Sequence, residues 1–288
     1  MNRKSIKAIV LAAVLLLTQF MFGNVMAQDD IVTATIAATE EGLVVPETIP
    51  AGWVEITFEN TSEIPLFSII GRLDDGATID EFMEALMGMM GGDASILPPA
   101  TFIGSPTTMP DATQTALYQL QAGTYVLLSV AGEEPDIATF MVEGEMDETD
   151  YEPEADMTIP LADFAFGLPT ELVAGEQTWL IENVGEQWHE MVFIPVPDGT
   201  TLEEAMPMLM GMEGEDEETA DESQDAGMPQ FEFVWSPMSA EEQAWVRVDL
   251  APGTYLVSCF IEDVNSEDAV IHAELGMIQI VTVTESDN

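Results

Sequence analysis

The chain repeats itself. Ala51-Gly52 returns as Ala174-Gly175, Phe58-Glu59-Asn60 as Ile181-Glu182-Asn183, Asp75-Gly76 as Asp198-Gly199 and Met87-Gly88-Met89 as Met210-Gly211-Met212, each pair at an offset of 123 residues. Further on, Ala122-Gly123-Thr124-Tyr125 returns as Pro252-Gly253-Thr254-Tyr255 at an offset of 130, the extra residues falling in the acidic run Glu213 to Asp225. A long match without gaps marks duplication of a whole domain, and the period is far too long for a solenoid. The expectation is two copies, 28–147 and 157–288, joined by an acidic linker at 148–156.

Each copy reads as β. Trp53 to Glu59, Gln177 to Glu182 and Ala244 to Leu250 alternate apolar and polar, while Thr254 to Phe260 and Met277 to Val283 are β-rich and largely apolar. Turns such as QAG and APG separate the runs, the pattern of a Greek-key sandwich. The fold class expected is all-β, two tandem Greek-key β-sandwiches. Each carries a short Met-rich helical insert, Thr78 to Met90 and Thr200 to Met212, opened by a Thr with an acidic residue behind it as a cap.

The ends and the charge narrow the setting. Arg3, Lys4 and Lys7, the apolar run Ile9 to Leu17 and Val25-Met26-Ala27 read as a signal peptide over 1–27, cleaved near Ala27. The apolar run is too short for a transmembrane anchor. The mature chain is therefore expected outside the cytoplasm. With 5 Lys+Arg against 54 Asp+Glu, the net charge of −49 excludes nucleic acid as a partner, since phosphate contacts need clustered cations. Such acidity suits solubility in brine or acid, or steering toward a partner with a basic surface. An apolar content of 47% still allows a sizeable core.

The chemistry is confined to the second copy. It holds both histidines of the chain and its one cysteine: His189, Cys259 and His272, with Met277 five residues beyond the last. One thiolate, two imidazoles and a thioether form the soft donor set of a type 1 copper centre. Copy one is the internal control. His189 corresponds to Leu66 and Cys259 to Ser129, and the short connection Glu133 to Phe140 leaves no counterpart of His272.

These residues resemble the cupredoxin family, plastocyanin-like blue copper proteins in particular. Asn183 to Phe193 resembles the strand that supplies the first His ligand, Gly253 to Cys259 the penultimate strand ending in the Cys ligand, and His272 to Met277 the spacing of the second His to the axial Met. The resemblance implies one copper held by His189, Cys259 and His272 with Met277 axial, single-electron transfer and a redox partner protein. One departure stands out. Twelve residues, Phe260 to Ile271, separate Cys259 from His272 where the family has two to four. Loop closure grows only slowly with length, so the expected penalty is preorganisation, with His272 the most labile strong ligand.

Two other readings remain open: a copper-free module for protein binding or adhesion, and an extracytoplasmic copper carrier that uses Met83, Met87 and Met90 on one helical face, with Met206, Met208, Met210 and Met212. Enzyme readings are weaker. Multicopper oxidases and copper nitrite reductases need further His-rich sites, which two histidines cannot supply. No Gly-x-Ser-x-Gly elbow is present, and nothing singles out a carboxylate pair.

Overall fold

The computed structural model describes residues 31–90, 97–129, 135–146, 151, 153–212, 231–266 and 269–285. The expected signal segment 1–27, the acidic run 213–225 and part of the linker lie outside the described residues. The first repeat contributes β1 (Val32–Thr39), β2 (Gly42–Val44), β3 (Thr48–Pro50), β4 (Gly52–Asn60), β5 (Ser68–Leu73), α1 (Ile79–Met90), β6 (Ala100–Phe102), β7 (Thr113–Leu120), β8 (Gly123–Ser129) and β9 (Asp136–Glu143). The second contributes β10 (Met157–Ala162), β11 (Ala165–Phe166), β12 (Glu171–Val173), β13 (Gly175–Asn183), β14 (His189–Val196), α2 (Leu202–Met212), β15 (Phe233–Met238), β16 (Gln243–Leu250), β17 (Gly253–Ser258) and β18 (Ile278–Thr284).

The two repeats pair their strands in the same register. Ile36 faces Phe58 as Ile159 faces Ile181, Ile56 faces Ala116 as Trp179 faces Val246, and Ile70 faces Leu127 as Phe193 faces Val257. These are the sequence offsets expressed as hydrogen bonds. The all-β expectation is met by two sandwiches. Each packs a five-stranded sheet, β3-β9-β8-β5-β6 or β12-β18-β17-β14-β15, against half of a shared eight-stranded sheet, β11-β10-β13-β16-β7-β4-β1-β2.

The shared sheet joins the described residues of both repeats into one body. It forms because β7 and β16, strands that would otherwise be edges, pair antiparallel, with Ala116 opposite Val246, its own counterpart at offset 130. An exposed edge strand is a ready template for pairing, and here each copy covers the other's. A second seam runs beside it. Gly104 N–H donates to the Pro237 carbonyl, Ser236 N–H to Ser105, Thr107 N–H to Val234, and the Ser105 and Ser236 hydroxyls meet at 2.9 Å. The apolar core is continuous through both halves, from Ile36 and Phe58 to Trp179, Phe193 and Tyr255.

Three local devices recur in both copies. Asn60 Nδ2 donates to the Ile64 and Thr108 carbonyls, and Asn183 Nδ2 to those of Gln187 and Met238. Tyr125 donates its hydroxyl to the Gln121 carbonyl and Tyr255 to that of Ala251, the corner tie that pins a sandwich strand. Each helix opens with a capping box, Thr78 with Glu81 and Thr201 with Glu204. The second cap is thus Thr201, one residue beyond the expected start at Thr200. Met83 and Met87, expected on one helical face, differ in their surroundings. Met83, Met89 and Met206 pack against apolar clusters, whereas Met87 is exposed. The side chains of Met90, Met208, Met210 and Met212 lie outside the described residues.

The seam yields a stability test. Gly104 has φ +69°, and a Cβ there would lie 2.4 Å from Trp235 Nε1. Gly104→Ala should therefore combine overpacking with left-handed strain and destabilise by about 2–4 kcal/mol. The check is a lowered urea midpoint at unchanged m-value. A midpoint equal to the parent's would mean the seam yields freely.

Candidate metal centre

β14 opens on His189, because the Asn183 turn ties Gly185 N–H and the Gln187 carbonyl and so aims the chain into the sandwich. Cys259 follows β17, whose run of buried residues from Thr254 to Ser258 carries it into the core. Its N–H donates to the Met277 carbonyl at 3.2 Å. His272 N–H donates to the Ile261 carbonyl, Ala273 N–H to that of Cys259, and Met277 N–H to that of His272. One knot of backbone hydrogen bonds thus holds Cys259, His272 and Met277 together, and all three side chains are fully buried, as is His189.

The expected laxity of the Cys259–His272 segment is not found. Glu262 bridges Ile271, Asp263 N–H donates to the Val270 carbonyl at 2.8 Å, and Ile271 packs in an apolar cluster. The segment leaves the core and returns antiparallel to itself. Pairing therefore supplies the closure that loop length alone would not.

The donor atoms converge. His189 Nδ1 lies 3.2 Å from His272 Nδ1, and Cys259 Sγ lies 3.5 Å from His272 Nδ1. All three lie within 4.8 Å of one another. Donors bound at about 2.0–2.3 Å to a shared ion stand at such separations.

The outward nitrogens settle the tautomers. His189 Nε2–H donates to Asp163 Oδ1 at 3.0 Å, and His272 Nε2–H to Gln187 Oε1 at 3.3 Å. Asp163 can only accept while ionised, and it also receives the Glu186 and Gln187 N–H groups. Gln187 is oriented by donating its own amide to Asp263 Oδ1 at 2.8 Å, while its Oε1 accepts from Val264 N–H. Both Nδ1 atoms are therefore bare and face each other, and among the three donors only the Cys259 S–H has a proton to share. Two lone pairs and a sulfur directed into one buried point suit a soft cation. Carboxylate- and amide-tied imidazoles are the usual outer support of metal-binding histidines.

Electrostatics agree. Burial pushes His272 down to about 4, helped by its neighbour His189, and burial also holds His189 below its usual range against the pull of Asp163. Partial burial pushes Asp163 up, but the Glu186 and Gln187 N–H groups and His189 outweigh it and hold the carboxyl low. Burial raises the Cys259 thiol strongly, and the charge of Glu190 adds to this. Without metal the thiol stays protonated, so binding must release that proton. Glu190 Oε1 accepts from Phe260 N–H at 3.0 Å, steadying the residue after Cys259, and burial pushes its own carboxyl up to about 7.

The structure thus brings together His189, Cys259 and His272, with Met277 buried in the same backbone knot. Sequence reasoning missed Asp163, Gln187 and Glu190. A signal existed for the last two: copy one has Ile64 and Phe67 at their positions. The equivalent place in copy one is a cavity of ≈ 400 Å³ bordered by Leu66 and Ser129, with no imidazole.

No family model matches the chain, and no curated protein matches it. Solved structures do. A dithionite-reduced auracyanin from Roseiflexus castenholzii matches at 16% identity over 44% of this chain and 95% of its own, with TM-score 0.27. Auracyanin A, a blue copper protein from Chloroflexus aurantiacus, matches at 21% over 44% and 98%, with TM-score 0.26. A multicopper oxidase from Campylobacter jejuni, a metallo-oxidase, matches at 10% over 89% of this chain and 64% of its own, with TM-score 0.24. With scores this low, what those proteins bind and catalyse is said of them alone.

The imidazole environment gives a pH test on the metal-free protein. His272 should titrate near pH 4 by proton NMR, well below an unfolded histidine at 6.5. Between those values the unfolded chain holds the extra proton, so this histidine's contribution to stability is lost as pH falls from 6.5 toward 4. Glu190 acts oppositely, since its raised value makes the folded state bind a proton first. In Glu190→Gln the loss of stability on acidification should become steeper. A His272 midpoint near 6.5, or an unchanged slope in Glu190→Gln, would contradict the buried, neutral site.

Proposed function

We propose that the chain is an extracytoplasmic blue copper protein of cupredoxin type that carries single electrons. The observation that carries this reading is the pair of bare Nδ1 atoms facing each other beside a buried cysteine sulfur, with both outer nitrogens already tied. His189, Cys259 and His272 would hold one copper. Met277 would supply the weak fourth donor, a role supported by its full burial and its backbone bonds to Cys259 and His272. Bound there, copper supplies a one-electron couple, tuned by a distant thioether.

The chain's own residues do the rest. Asp163 and Gln187 hold the imidazoles, Cys259 gives up its proton on binding, and the apolar surroundings exclude water. The two copies act as domains 28–147 and 157–288, the first a scaffold without ligands. With two histidines in all, no further copper site of the imidazole-rich kind can be built, so the reading is a carrier and not an oxidase. Export rests on the N-terminal signal pattern. Among the described residues no helix is long and apolar enough to cross a membrane. The high negative charge favours a redox partner with a basic surface.

The test is copper titration of the full mature chain. It should take up one Cu(II) and turn blue through thiolate-to-copper charge transfer, and Cys259→Ser should abolish the colour. Asp163→Ala, which frees His189 Nε2, should weaken copper retention about 10–100-fold without removing the colour. A parent protein that binds no copper, or binds it without colour, would overturn the proposal.

A further inference from the structure

A cleft of ≈ 270 Å³ opens between the two repeats, separate from the donor group. About 150 Å³ suffices for a benzene ring in an apolar cavity. Three aromatic rings line it: Phe102 from β6, Trp188 from the turn before β14, and Phe260 from the segment after Cys259. Phe102 and Trp188 meet edge to face at 4.7 Å, so part of this wall is braced across the two repeats.

The remaining lining is aliphatic except for two carboxylates, Glu190 and Glu262, and no Lys or Arg lines it. Glu190 uses Oε1 for Phe260 N–H, and among the described residues its Oε2 accepts no hydrogen bond. Arg247, one of two cations beyond the signal segment, is engaged elsewhere with Glu55 at 3.1 Å. Carboxylates beside apolar walls without a counter-ion are costly, and aromatic faces attract cations.

We infer that this cleft binds a small amphiphilic cation, a single aromatic ring carrying a primary ammonium group. The ring fills the apolar part against Phe102, Trp188 and Phe260. The ammonium meets the free oxygen of Glu190 and the carboxylate of Glu262. A neutral ring would leave both carboxylates uncompensated, and a bare ammonium would leave the apolar walls wet. The cleft draws on both repeats, which gives the ligand-free first copy a share in a binding site. Its occupancy does not depend on the copper reading.

The probe is 2-phenylethylammonium, titrated into the full mature chain by calorimetry at physiological salt in mildly alkaline buffer. Saturable one-site binding is expected, about tenfold tighter than for the neutral isostere 2-phenylethanol. Glu190→Gln and Glu262→Gln should each narrow that gap. Glu262 is the safer variant for folding, because Glu190 also accepts the Phe260 N–H. Leu97→Trp, on the exposed rim, should weaken both ligands by filling the cleft. Absence of saturable binding, or equal affinity for the two ligands, would overturn the inference. So would ethylammonium binding as tightly, which would reduce the effect to general attraction toward a polyanion, or binding untouched by Leu97→Trp.

Discussion

Two hydrogen bonds on the far side of the imidazoles decide what the centre can be. With Nε2–H of His189 given to Asp163 and that of His272 given to Gln187, neither ring has a proton left for the interior. The Nδ1 lone pairs then stand 3.2 Å apart beside the Cys259 sulfur, a repulsive grouping that a cation relieves. Neither partner stands alone. Asp163 is held by two backbone N–H groups of the turn that precedes His189, and Gln187 is oriented by Asp263 in the segment that returns to His272. The Asn183 turn, the β10–β11 hairpin and the Cys–His segment are therefore one assembly. Disturbing any of the three would move a ring.

Comparison of the copies separates what folds the chain from what equips it. The Asn turn, the tyrosine corner, the capping box and the strand registers occur in both. The imidazoles, the thiol and their supports occur in one. Leu66 stands buried where His189 would be, so the first sandwich puts an apolar side chain in place of the imidazole. The metal ligands are thus not needed for the sandwich to form, and their burial in copy two, as neutral groups under strong desolvation, works against stability. Function explains their presence better than folding does.

Much of this was legible in the residues. The offsets of 123 and 130 translate directly into pairing registers, and alternation in Trp53–Glu59 and Gln177–Glu182 marks β4 and β13. His189, Cys259 and His272 stood out by scarcity, being the chain's only such residues. Asp163 did not, as one carboxylate among 54 acidic residues. The joining of β7 to β16 was hidden because both strands already alternate within their own copies, and no local pattern reports which edge finds which. The Cys–His segment was misjudged by counting residues as free chain, when Glu262 and Ile271 pair across it.

The turn over the centre carries the remaining physical question. Phe164 sits at φ 62°, a region disfavoured for a bulky side chain by about 1–2 kcal/mol. In copy one the corresponding residue is Glu41, and the left-handed position falls on Gly42, where glycine tolerates it. The strain in copy two is thus specific to the sandwich that holds the donors. Its offset is visible: the Phe164 ring packs edge-on against His272 with centroids 5.2 Å apart, a contact of about 0.5–1.5 kcal/mol. The same two-residue turn presents Asp163 to His189. One tight hairpin therefore touches both imidazoles, holding one by a carboxylate and covering the other by a ring, which keeps both histidines fully buried although they lie near the surface turns. The strained φ thus sits at the turn that makes both contacts.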